Sequence, residues 1–221
     1  MVAVAIDGPA GAGKSTIARK AASELGFIYV DTGAIYRTAG LACTERGIDV
    51  FDKEKVIEVL AETDIRIVFF NSEQHVLLND RDVSDEIRTE KVSMTASKVS
   101  AIPEVRKFLL DLQRDFAKND NVVMDGRDIG TVVLPNAQVK IFLTASPETR
   151  AKRRVIQLKE KGEQADYTTV LEDIKERDYN DSHRETAPLR AAENAVLVDT
   201  SELTLEQSIE TIINIIKEHI E

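Results

Sequence analysis

One short stretch holds the residue types and spacing needed to bind a nucleoside triphosphate. Gly8-Pro9-Ala10-Gly11-Ala12-Gly13-Lys14-Ser15 fits G-x-x-x-x-G-K-[ST], the pattern of a phosphate-binding loop. Glycines let successive backbone N–H groups turn toward phosphate oxygens, the lysine reaches the β and γ phosphates, and the serine hydroxyl can ligate Mg²⁺. The expected triphosphate contacts are Gly8, Pro9, Ala10, Gly11, Ala12, Gly13, Lys14, Ser15 and Thr16. The flanks suit the motif, because Val2-Ala3-Val4-Ala5-Ile6 is a short apolar run and the residues from Ser15 to Leu25 predict a helix that stops at Gly26.

A second set of candidates follows another apolar run, Asn121-Val122-Val123-Met124. Asp125 stands where a carboxylate can hold Mg²⁺ directly or through water, and Gly126-Arg127-Asp128 adds an arginine and a further carboxylate at the same strand end. Simple ion pairing between Arg127 and Asp128 is the plainer alternative. Further on, Arg177, Asp181 and Arg184 fall at i, i+4 and i+7, so on a helix they project from one side. Two guanidinium groups there suit a transferring phosphoryl group, whose equatorial oxygens they can grip in pairs. A surface salt-bridge ladder is the competing account.

The elements that must position these residues are legible in outline. Phe27-Ile28-Tyr29-Val30, Val139-Lys140-Ile141-Phe142-Leu143 and Ala195-Val196-Leu197-Val198 are short, non-alternating runs that suit strands buried on both faces. With the two runs already named they predict a five-stranded parallel α/β sheet flanked by helices. Residues 60–101 break this rhythm. Ile65, Ile67 and Phe69 alternate, Asn71-Ser72-Glu73 is turn-rich, and Val76-Leu77-Leu78 follows, which predicts a small antiparallel lobe outside the parallel sheet. Pro103 opens a helix with Val105, Leu109, Leu112 and Phe116 on one face. Residues 147–179 read as two charged helices broken near Gly162, carrying Arg150, Arg153, Arg154 and Arg177. The last helix opens with the capping pattern Thr204 to Gln207 and lines up Leu205, Ile209, Ile212, Ile213, Ile216 and Ile220 for packing.

Composition narrows the function classes. With 221 residues, 43% hydrophobic and 31% charged, the chain can bury one core and carry a small insert. A net charge of −10 argues against a nucleic-acid partner and against a polybasic membrane-surface role, so an anionic ligand must meet locally gathered arginines. The first strand begins at Val2, which leaves no room for a signal peptide, and no 18-residue apolar run offers a membrane span; a cytoplasmic location is expected. The lone Cys43 cannot form an internal disulfide, and His75, His183 and His219 lack zinc-site spacing. No stretch marks a large dimer surface, so a monomer is expected.

Taken together, these motifs resemble the nucleoside monophosphate kinases, and within them the bacterial cytidylate kinases. The resemblance is carried by Ile6-Asp7-Gly8-Pro9 through Lys14, Asp31-Thr32-Gly33-Ala34-Ile35-Tyr36-Arg37, Val83-Ser84-Asp85-Glu86-Ile87-Arg88, Asp125-Gly126-Arg127-Asp128, Val139 to Leu143 and Lys175-Glu176-Arg177-Asp178, and it spans essentially the whole chain. It implies a phosphate-loop NTPase fold with strand order 2-3-1-4-5, a core over residues 1–59, 102–149 and 178–221, a monophosphate-binding lobe over residues 60–101, and a short helical lid over residues 150–177. The expected reaction is Mg²⁺-dependent transfer of the ATP γ-phosphoryl group to CMP or dCMP. By the same resemblance Arg37 and Arg127 grip the acceptor phosphate, with Thr32 offering a hydroxyl nearby, and Ser97, Arg106 and Asp128 read the cytosine. Arg177 and Asp181 lie near the ribose and the transferred phosphate. Arg153 and Arg154 belong to the lid on the ATP side, and Arg184 joins the arginines at the reaction centre. Lys14, Arg153, Arg177 and Arg184 are then the expected catalytic groups, with Mg²⁺ on Ser15 and, through water, on Asp125.

The base chemistry agrees. Cytosine offers an N4 amino donor beside N3 and O2 acceptors, so a carboxylate can accept from N4 while arginine and serine donate to the others. Uracil would set O4 against that carboxylate, a mismatch costing roughly 1–3 kcal/mol. Two rivals keep the loop: a kinase for UMP, AMP or shikimate, and a nucleotide switch. The second lacks the guanine-reading Asn-Lys-x-Asp.

Overall fold

The structure, a computed structural model, describes residues 1–70, 73–160 and 162–220. The chain begins with β1 (Ala3–Asp7), the phosphate loop, α1 (Lys14–Leu25), β2 (Ile28–Asp31) and α2 (Thr32–Glu45). Gly26 ends α1 in the left-handed region, with its N–H bonded back to Ser23. The side chain of Asp31 caps α2 by accepting from the N–H of Ala34.

After α3 (Lys53–Ala61) come β3 (Ile65–Phe70), β4 (Glu73–Leu78) and β5 (Arg81–Asp82), which form a separate antiparallel sheet in that order. Asn79 and Asp80 both take positive φ in the tight turn between β4 and β5, a conformation these residues tolerate. The turn expected at Asn71-Ser72 lies outside the described residues. Ile65, Ile67, Val76 and Leu78 bury one face of this small sheet into a cluster that also holds Ile35 of α2 and Met124. The chain returns through a short 3₁₀ turn at Glu86–Arg88, α4 (Glu90–Val99) and α5 (Pro103–Asn119), whose proline stands at the first helical turn as expected.

The remaining elements are β6 (Val122–Gly126), a wide π-type turn at Ile129–Val133, β7 (Val139–Thr144), α6 (Pro147–Glu160), α7 (Tyr167–His183), β8 (Val196–Asp199) and α8 (Leu205–Ile220). The main sheet is parallel throughout, in the order β2-β6-β1-β7-β8. Counting only its own five strands, this is the expected 2-3-1-4-5. Alternate residues of β1 face opposite sides: Ala5 joins the cluster under α2 and α5, whereas Val4 and Ile6 join α1 and α8.

Three sequence expectations change in detail. Leu197 is 70% exposed, because β8 closes the sheet as an edge strand instead of being buried on both faces. Leu205 is 46% exposed: it sits in the first turn of α8, while Ile212, Ile213 and Ile216 deeper in the helix are buried. Arg184 lies just past α7 with extended backbone, so Arg177, Asp181 and Arg184 do not share one helix face. The capping pair forms as read, the Gln207 N–H bonding the Thr204 hydroxyl oxygen and the Thr204 N–H bonding the Gln207 side chain.

Strand register sets the site. Asp7 is paired with Gly126, and Asp31 with Asp125, so β1, β2 and β6 end at one level and deliver their acidic residues to one edge of the sheet. This is the carboxyl edge, where open parallel sheets bind ligands.

Candidate active site

The phosphate loop fits between β1 and β7 only because Gly8 has no side chain. A Cβ there would stand 1.9 Å from the Leu143 carbonyl oxygen. Lys14, at the start of α1, is buried and donates to the Pro9 carbonyl at 2.7 Å. Burial, and then the positive charge of Arg127, lower its pKa to about 7, against the pull of Asp125, Asp7 and Asp181. Such an ammonium gains most from an incoming phosphate.

The Ser15 hydroxyl donates to Asp125 Oδ2 and the Tyr29 hydroxyl donates to Asp125 Oδ1, each at 2.9 Å. Burial and the neighbouring Asp31 charge push the Asp125 carboxyl up to about 6. The pair Ser15 and Asp125 is therefore made of hard oxygen donors, and a divalent cation would favour the ionised form that burial opposes. These residues fit Mg²⁺.

Across the same edge lies a group of ion pairs. Arg37 bonds Asp31 at 2.8 Å, and the Thr32 hydroxyl donates to the Asp125 carbonyl at 2.8 Å. Burial acts to raise the Asp31 carboxyl, but the charge and hydrogen bond of Arg37, the Ala34 N–H and the charge of Arg88 together hold the group below the ordinary carboxylate range. Gly126 is fixed by crowding, since a Cβ would come within 2.7 Å of both Ile129 and Thr32.

Asp128 pairs with Arg106 through one oxygen, and Arg184 stands 3.6 Å from the other. Arg106 also donates to the Ser100 carbonyl and lies over the Tyr36 ring at 5.3 Å. Ser97, half-buried on α4, lies one turn before Ser100. Arg127 pairs with Asp181 at 2.8 Å, so Arg127 and Asp128 do not pair with each other. Burial acts to raise the Asp181 carboxyl, yet Arg127, with further charge from Arg177 and Arg184, pulls it below its ordinary value.

The expected residues therefore gather in two groups, the loop with Ser15 and Asp125, and the pocket of Arg37, Arg106, Arg127, Asp128, Arg177, Asp181 and Arg184. Of the two arginines expected on the ATP side, Arg153 donates to the Thr200 carbonyl at 2.7 Å and Arg154 bonds Gln157 on α6.

Three residues not singled out by the sequence also belong to the site. Arg150, only 2% exposed, donates to Ala10 of the loop, to Ala145 and to both oxygens of Asp178, tying α6 and α7 to the phosphate loop. Asp7, pushed up to about 6 by burial, accepts from the N–H groups of Ile129 and Gly130. Tyr29 steadies Asp125. Asp7 did carry a signal, as the charged residue ending an apolar strand just before the loop; Arg150 looked like one more surface arginine of a basic helix.

A parallel sheet carrying a phosphate loop after its first strand, faced by arginine–carboxylate pairs on the neighbouring strand, defines a phosphate-loop kinase. The family profile described as Cytidylate kinase matches residues 4–218. The chain belongs to the cytidylate kinase family. It is 52% identical over 212 residues to a cytidylate kinase of Caldicellulosiruptor saccharolyticus, covering 96% of this chain and 94% of that one. It is 51% identical over 218 residues to that of Caldanaerobacter subterraneus, covering 99% and 96%. Among solved structures, an uncharacterized protein from Eubacterium ventriosum matches with TM-score 0.50 over 100% of this chain and 98% of its own, at 13% identity, a likeness of fold alone.

Proposed function

We propose that the protein transfers the γ-phosphoryl group of ATP to CMP or dCMP, giving ADP and CDP or dCDP. The observation that carries this reading is the buried Arg106–Asp128 pair beside the Arg127–Asp181 pair, one strand away from the phosphate loop. The first pair suits cytosine: Asp128 accepts from N4, while Arg106 and Ser97 donate to N3 and O2. The second, with Arg37, suits the acceptor phosphate.

In the reaction a CMP phosphate oxygen forms a bond to the γ phosphorus as the bond to the β–γ bridging oxygen breaks. No general base is needed, because the attacking group is already anionic; positioning and charge neutralisation carry the step. Lys14, Arg177 and Arg184 neutralise the transferring group, and Arg153 joins them by leaving Thr200 when the lid closes. Arg154 and loop residues 8–16 hold the ATP phosphates. Mg²⁺, held by Ser15 and through water by Asp125, would supply further charge neutralisation on the β and γ phosphates.

Residues 150–177 act as a lid and residues 60–101 as a monophosphate-binding lobe, both closing to exclude water. The acidic net charge supports a protein that works on small nucleotides, without nucleic acid or a membrane surface, and on this reading it is a cytoplasmic monomer. Among the described residues no helix is long and apolar enough to cross a membrane.

The test is ADP formation from ATP and Mg²⁺ with CMP, dCMP, UMP, AMP and shikimate as separate acceptors. Turnover led by CMP and dCMP is expected. Turnover led by another acceptor would keep the kinase and overturn the pocket assignment.

A further inference from the structure

We infer that Asp7 is a positioning residue for base recognition, one that takes over the backbone bonds Asp128 would otherwise make to its own turn and so leaves Asp128 free to face Arg106 and the cytosine. The inference rests on the reading of Asp128 as the base-reading carboxylate.

Asp128 is the N-cap residue of the wide turn Ile129–Val133. The first N–H groups of a helical turn have no acceptor within it, and an aspartate in the N-cap position ordinarily folds back to accept from them. Asp128 makes no such bond. Its two oxygens face Arg106 and Arg184 instead. The N–H groups of Ile129 and Gly130 donate to the two oxygens of Asp7, at 2.7 and 2.8 Å, across 122 and 123 residues of sequence. The register of β1 against β6 makes this reach possible, since Asp7 is aligned with Gly126, two residues before Asp128.

The turn is therefore capped from the neighbouring strand, and Asp128, buried like Asp7, keeps its acceptor capacity for the pocket. In an Asp7→Asn variant one oxygen becomes an NH₂ group. One of the two N–H groups then confronts a donor, and the adjacent carboxylate able to receive it is that of Asp128. A side chain drawn back onto its own turn reads the base less well.

The experiment compares kcat/KM for CMP and for UMP, with saturating ATP and Mg²⁺, in the wild type, Asp7→Asn, Asp128→Asn and the double variant. Asp7→Asn is expected to lower the CMP-over-UMP ratio by about tenfold, the size of one lost hydrogen bond. Asp128→Asn is expected to lower it at least as far, and the double variant no further than Asp128→Asn alone. General damage to the loop would depress both substrates equally, and that result, or a raised ratio in Asp7→Asn, overturns the inference. An unchanged ratio in Asp128→Asn overturns the reading of Asp128 and the inference with it. A lowered ratio there with none in Asp7→Asn overturns the inference alone. Should Asp7→Asn fail to fold, amide exchange in Asp128→Ala, which has no side-chain acceptor, decides: protection of the Ile129 and Gly130 N–H groups as in the wild type is expected, and its loss would show that Asp128 caps its own turn.

Discussion

The two phosphate sites proposed for this molecule are built in opposite ways. The donor loop is one contiguous stretch that works through its backbone, and its single cation, Lys14, rests on a neutral carbonyl. The acceptor pocket is assembled from α2, α4, α5, β6, α7 and the residue after α7, and its arginines are already matched to carboxylates: Arg37 to Asp31, Arg106 to Asp128, Arg127 to Asp181. A neutral partner costs little to give up, so the donor cation can follow a phosphate directly. An ion pair fixes a guanidinium in place before the ligand arrives, which suits a pocket that must choose one acceptor. Removing parts of the first site should therefore cost rate, and removing parts of the second should cost stability or selectivity as well.

The largest effect expected is on rate. Lys14→Met should lower kcat by on the order of 10³-fold or more, because a buried cation aimed at the transferring phosphoryl group is lost. Steady-state turnover at saturating ATP and CMP checks this, and the unfolding midpoint in urea should hold or rise, since a buried charge has gone. A fall in stability equal to that of the pocket variants would erase the contrast. Next comes Arg106→Met, which takes the directly bonded partner from the buried Asp128 and leaves it only the more distant Arg184 at 3.6 Å. Breaking such a pair costs about 3–5 kcal/mol, so urea unfolding should show a loss of that order. A loss below about 1 kcal/mol would place the pair among weak surface contacts.

The same contrast explains what could be read from the sequence. The loop was legible because its chemistry is local: spacing alone puts the glycines, Lys14 and Ser15 together. The parallel sheet was legible through its apolar runs, and even the antiparallel insert announced itself by the alternation at Ile65 and Ile67. The pairing within the pocket was not. Arg127 and Asp128 are sequence neighbours on a strand end, so their side chains diverge, and each finds a partner at a distance that only the folded chain closes, Asp181 and Arg106. The cap of Asp7 on Ile129 spans the sheet and leaves no local pattern. Likewise nothing in the spacing separates Arg150, buried against the loop, from Arg154 on the same helix, which bonds Gln157 near the surface.

Arg177→Ala should come third. Its charge reaches Asp181, and on the proposed reading it also neutralises the transferring group. A fall in kcat of about 10²-fold is expected, close to the loss of one oriented donor. Unchanged turnover at saturating substrates would remove Arg177 from the mechanism and leave it as a support of the Asp181 pair.

The finest prediction concerns protons, and here the two sites have opposite signs. Carbon-13 titration of the aspartate carboxyls, in buffer free of nucleotide and Mg²⁺, should find Asp7 and Asp125 protonating at about 6, and Asp31 and Asp181 only below the ordinary 3.8. For the donor-side pair the folded pKa lies above the unfolded one, so between 3.8 and about 6 the native state binds more protons; their contribution to stability is present below 3.8 and lost as pH rises through about 6. For Asp31 and Asp181 the folded pKa lies lower, so their contribution is fully present above 3.8 and lost as pH falls through their folded values. Asp181→Asn should therefore differ from the wild type by a constant amount from about pH 7 to about pH 5, with the gap narrowing in more acid solution. A gap that stays constant at every pH where both proteins fold would mean that the Arg127 pair holds the pocket by packing, and the electrostatic half of the contrast would fail.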